Sequence, residues 1–93
     1  MDLAEATDHV HQVAQAGFVF VTRHCTQRME ERGVGHQDLE SALTTGQAAK
    51  VEPNEDGDGW RVEFHGEDAG GDPLTIHLAL AEDLRSLACI TVY

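Results

Sequence analysis

Basic side chains are scarce in this sequence. Its 93 residues carry six Lys/Arg against 17 Asp/Glu, a formal net charge of -11, and Lys50 is its single lysine. Such a chain repels a polyanion at long range, because nucleic-acid affinity rests largely on basic patches. Aromatic residues are also few, with three Phe, one Trp and one Tyr, which leaves a modest and mostly aliphatic core. Cysteine is confined to Cys25 and Cys89 with no CxxC pair. That excludes a disulfide framework and reads as two reduced thiols in a cytoplasmic protein. No apolar run approaches the ~20 residues of a membrane span, and the acidic, polar start MDLAEATDHVHQ is unlike a signal peptide. Many of the acids fall in VEPNEDGDG and HGEDAGGD, both loop-like. Lysine-poor, acid-rich loops are also what adaptation to high salt produces.

What remains predicts one domain, residues 1–93, with helices first and strands after. Asp2 with Glu5 three residues on gives a capping-box pattern, Leu3, Ala6, Val10, Val13 and Ala14 recur at helical spacing, and Gly17 supplies the stop. His9 and His11 point to opposite sides of such a helix, cannot share a metal there and read as surface residues. Phe18–Thr22 is a short β-forming run, read as a strand or an extended segment that pins the following helices to the core. A second helix follows to Arg32, a Gly33-Val34-Gly35 break, and a third helix from about His36 to Thr45 closed by Gly46. From Gln47 onward the period is two. Ala48–Glu52, Trp60–Phe64, Leu74–Leu80 and Leu87–Tyr93 read as strands, with D-G and G-G turns between them. The expected fold is α+β, with N-terminal helices packed on one face of a four-stranded antiparallel meander. The other face should carry Arg61, His65, Thr75 and His77.

One stretch stands out chemically. Residues four apart on a helix lie on one side of it, so His24, Arg28 and Arg32 form a stripe, with Cys25 and Met29 forming an apolar stripe beside them. One imidazole and two guanidiniums suit a phosphate or carboxylate, because Arg presents a rigid fork of donors to such oxyanions. The plainer reading pairs the two arginines with Glu30, Glu31 or the sheet and leaves His24 as a helix-start residue.

Three motifs occur in order: H-x-x-x-R-M-x-x-R-G (His24, Arg28, Met29, Arg32, Gly33), D-L-x-x-A-L-x-x-G (Asp38 to Gly46) and the closing I-T-V-Y (Ile90–Tyr93). Together they resemble a small bacterial domain family of unknown function whose members are similar to RelE- and BrnT-type toxins. The resemblance covers Phe18 to Tyr93, with residues 1–17 as an N-terminal helix ahead of the RelE-like core. It implies a metal-independent endoribonuclease of a toxin–antitoxin module, acting on RNA or the ribosome and held by an antitoxin. No cofactor or metal is called for.

Such chemistry needs a base near the ribose 2′-hydroxyl, cations on the scissile phosphate and an acid for the leaving oxygen. The residues read for those roles are Arg28 and Arg32 on the phosphate, His24 as acid or base, and His77, His65 or Tyr93 as the second proton-transfer group. Imidazole suits proton exchange because its unperturbed pKa of ~6.5 lies near neutrality. The reading of a different class is a non-catalytic interaction module whose acidic surface engages a basic protein partner. A zinc site from His24, Cys25, His65 or His77 has no ligand spacing behind it.

Overall fold

A computed structural model describes residues 1–93. Helix α1 spans Leu3–Ala16, strand β1 Val19–Val21, α2 Arg23–Arg32, α3 His36–Thr45, and strands β2 to β5 Gln47–Pro53, Trp60–Glu67, Pro73–Leu80 and Leu87–Val92. The caps follow the sequence closely. The Asp2 carboxylate accepts from the Glu5 N–H at 2.8 Å while Glu5 accepts from the Asp2 N–H, which completes the box at the start of α1. Thr22 starts α2: its hydroxyl oxygen accepts from the Cys25 N–H and its proton is shared between the Cys89 and Ile90 carbonyls, 3.1 and 3.2 Å away. One side chain thus caps a helix and fastens it to β5. Gly35 has no side chain to offer α3, so the cap comes from Asp38. Its carboxylate accepts from the Gly35 N–H (2.8 Å) and from the Ala69 N–H (3.0 Å), tying α3 to the β3–β4 loop. These bonds to backbone N–H hold Asp38 below the ordinary carboxylate range.

The expected four-stranded antiparallel sheet is instead five-stranded and mixed, in the order β1-β5-β4-β3-β2. Strands β2 to β5 run antiparallel to their neighbours, and β1 joins parallel to β5 with Val19 opposite Leu87 and Val21 opposite Cys89. The Phe18–Thr22 run therefore extends the sheet as well as pinning α2. A parallel pair needs a long crossover, and here that crossover is most of the chain.

One sheet face, carrying Val62, Phe64, Leu74, Ile76, Leu78, Leu80, Leu87, Cys89 and Val92, is buried under the helices. Ala6, Val10 and Val13 of α1, Cys25 and Met29 of α2, and Leu39, Ala42 and Leu43 of α3 complete the core. The tightest approach is between α3 and β3. A Cβ on Gly66 would lie 2.5 Å from the Ala42 carbonyl oxygen and 2.7 Å from its Cα, so only glycine lets the helix down onto the strand there. His11 is partly buried, contrary to its reading as a surface residue: Nε2–H donates to the Gly46 carbonyl at 2.7 Å and the ring meets Phe64 edge-on. Cys25 and Cys89 are both fully buried, and burial, with Cys25 as a neighbour, pushes the Cys89 thiol up to about 12. No helix is long and apolar enough to cross a membrane.

Candidate active site

The face turned away from the helices is polar, and strand register sets what meets there. Lys50, Glu63, His77 and Thr91 lie side by side across β2, β3, β4 and β5. The next row is Gln47, His65, Thr75 and Tyr93, and the row on the other side is Glu52, Arg61, Ala79 and Ala88.

Two irregularities produce these rows. Strict alternation from Leu87 and Cys89 would bury Thr91 and Tyr93, but the register shifts opposite His77/Leu78, so Ile90 is an extra residue. Val92 then packs inward and Tyr93 turns out, its backbone locked to Thr75 by N–H···O bonds of 2.9 and 3.0 Å. In β2 a shift between Ala48 and Lys50 makes Ala49 the extra residue. Ala48 stays buried and Lys50 comes out beside Glu63, with a side chain 66% exposed. Bulges re-aim side chains in this way, and here both deliver a functional group to one surface.

Glu63 sits at the centre. Its carboxylate accepts from His65 Nε2 at 2.9 Å and lies 3.4 Å from His77 Nε2. Hydrogen bonds from these two histidines hold it below the ordinary carboxylate range. Tyr93 Oη lies 3.1 Å from His77 Nδ1 and 2.9 Å from Nε2, with the rings edge-to-face at 4.9 Å. The tautomer with Nε2–H toward Glu63 leaves Nδ1 to accept the Tyr93 hydroxyl proton and makes a carboxylate–imidazole–phenol chain. The other tautomer has Nδ1–H and an Nε2 that accepts from the same hydroxyl at 2.9 Å. A depression of about 140 Å³ beside it is lined by Lys50, Glu52, Arg61, Val62, Glu63, His77 and Leu78. Arg61 is steadied by the β2–β3 turn: Nε donates to Asn54 Oδ1 (3.2 Å) and the guanidinium meets Asp56 at 3.1 Å. Proton-exchanging groups thus share one patch with two cations, Arg61 and Lys50, the latter 3.8 Å from Glu52.

The residues read from sequence fall into two groups. His77 and Tyr93 touch each other on the open face. His24, Arg28 and Arg32 form the expected stripe on α2, with His24 and Arg32 exposed and Arg28 half-buried, but α2 packs over β5 on the covered face, with the sheet between it and His77. Arg28 pairs with Glu31 at 2.8 Å, its side chain one-third exposed, and Arg32 has no ion-pair partner. None of the principal surface depressions is lined by the three. The five therefore do not converge on one phosphate. Cys25, buried under α2, is likewise separated from His65 and His77. Lys50 and Glu63 escaped the sequence reading. Glu63 could have been found as the alternating neighbour of His65, whereas Lys50 depends on a bulge.

Fold and site define a two-layer α+β domain with an acid–base cluster on its uncovered sheet. Residues 21–93 match the family model of a domain of unknown function, DUF4258, and the chain belongs to that family. No curated protein and no solved structure matches it.

Proposed function

We propose that the open sheet face is the active site of a metal-independent endoribonuclease, of the kind found in toxin–antitoxin modules and acting on RNA in the cytoplasm. The observation that carries this reading is the Glu63–His77–Tyr93 chain set between Lys50 and His65. Tyr93 Oη takes the ribose 2′-hydroxyl proton as it passes its own to His77 Nδ1, and Glu63 stabilises the imidazolium that forms. The 2′-oxygen attacks phosphorus, and Lys50 and Arg61 offset the charge building on the phosphoryl oxygens. Protonated His65 gives its proton to the departing 5′-oxygen. The P–O5′ bond breaks, leaving a 2′,3′-cyclic phosphate and a 5′-hydroxyl. The resemblance to RelE- and BrnT-type toxins supports the same chemistry. The α2 stripe of His24, Arg28 and Arg32 takes no part in the step and is left as a separate cationic surface.

The test is cleavage of a short single-stranded RNA in the presence of a chelator, across a range of salt that screens the chain's negative charge. Cyclic-phosphate ends are expected, no cleavage of a 2′-O-methyl substrate, and a loss of ~10²–10⁴-fold in His77→Asn. An RNA left intact at every salt concentration, or cleaved equally by His77→Asn, rules the reading out.

A further inference from the structure

The two edges of the sheet are finished differently. At the β2 edge, α1 closes in: the Ala48 N–H donates to the Thr7 hydroxyl at 2.9 Å, and Thr7 in turn donates to the Leu3 carbonyl. Pro53, which has no N–H to offer, ends that strand. At the other edge nothing covers β1. The Phe18 carbonyl accepts from Leu87 and the Thr22 N–H donates to Cys89, both at 3.1 Å, so the even-numbered residues address β5. By alternation the N–H and C=O groups of Val19 and Val21 point outward, and β1 has no second neighbour to take them.

The side chains flanking this edge are apolar on both sides. Phe18 and Phe20 are the most exposed large hydrophobic residues of the chain, at 58% and 63%. They line one groove, of about 550 Å³, with Val13, Ala16 and Leu84. Val19 and Val21 line a second, of about 400 Å³, with Ala14, Leu39 and Leu43. An added strand directs alternate side chains to opposite faces, and here each set would find a groove. Apart from Val21, α3 and the β4–β5 loop, these walls lie ahead of residues 21–93, the stretch matched to the family model.

We propose that the free edge of β1 is a docking site for an extended, basic segment of a partner protein, which joins the sheet as a further strand. The unpaired backbone calls for an extended chain, and the paired grooves call for apolar residues at alternate positions. The overall charge calls for a cationic partner: the protein carries -11, Glu40 lines one groove beside His36, and Arg85, the one cation lining the other, follows Glu82 and Asp83 in the chain. A second copy, carrying the same net charge of -11, is disfavoured by like-charge repulsion. This inference does not depend on the ribonuclease reading.

The probe is a capped synthetic peptide of alternating valine and lysine, titrated into ¹⁵N-labelled protein, with a valine–glutamate peptide and a backbone N-methylated valine–lysine peptide as controls. The expected result is binding in the micromolar range, with the Val19 and Val21 amides shifting and becoming protected from exchange. Both controls should bind at least about tenfold more weakly. Phe20→Lys, an exposed change that keeps the fold, should weaken binding by a similar factor with unchanged thermal unfolding. No response at Val19 and Val21 at millimolar peptide, equal binding of the glutamate peptide, or self-association through β1 in place of peptide binding overturns the proposal.

Discussion

The two faces of one sheet obey different rules in this protein. On the covered face, alternation is kept through β3 and β4, every inward residue is apolar or glycine, and Gly66 is small because Ala42 of α3 presses on it. On the open face alternation is broken twice, at Ala49 and Ile90, and each break brings out a residue that regular pairing would have buried. The covered face is constrained by volume, so its residues can be inferred from hydrophobicity. The open face is constrained by the positions of donors and acceptors, and those positions come from register.

Substitutions that separate volume from chemistry test this contrast. The largest effect on stability should come from Phe64→Ala, which empties the centre of the covered face and should cost ~3–5 kcal/mol by denaturant unfolding. His77→Asn, its counterpart across the sheet, should leave the unfolding midpoint nearly unchanged while removing activity. A similar loss of stability in both variants would mean that the open face is also a packing surface. Gly66→Ala should cost ~1–3 kcal/mol, because the Ala42 backbone cannot yield as a side chain would. If it were silent, α3 would have to be free to lift from β3.

The smallest effect is electrostatic and reaches both layers. Asp38 and Glu63 have folded-state pKa values below their ordinary values of 3.8 and 4.5. The stability each contributes is therefore complete above those values and is lost as pH falls through the lower folded ones. Acid unfolding curves should flatten modestly in Asp38→Asn, which loses a tie between α3 and the β3–β4 loop. They should flatten less in Glu63→Gln, whose partners are an exposed His65 and a half-buried His77 at the longer distance of 3.4 Å. An unchanged acid limb in both variants would assign acid sensitivity to the remaining carboxylates.

Much of this structure could be read from the sequence because its causes are local. The Asp2–Glu5 box, Gly17, the His36–Thr45 helix and the alternation of β3 and β4 each depend on residues within a few positions of one another. The α2 stripe was equally legible as a stripe. The side of the sheet on which it would lie was not, because that depends on how α2 packs against β5, more than 50 residues later. The parallel pairing of β1 was hidden for the same reason: three residues reveal no partner, and theirs lies beyond residue 86. The bulges leave no compositional trace, so Lys50 and the outward turn of Tyr93 were beyond any periodicity argument. The I-T-V-Y motif was visible as letters, but its phase was not.

Strand β5 is the last of the five to be translated, and yet it lies between β4 and β1. Until it emerges from the ribosome, β1 has no edge to join and Thr22 has no carbonyls from residues 89 and 90 to grip. The nascent polypeptide must therefore hold β1 and the start of α2 unpaired while the hairpins form behind them.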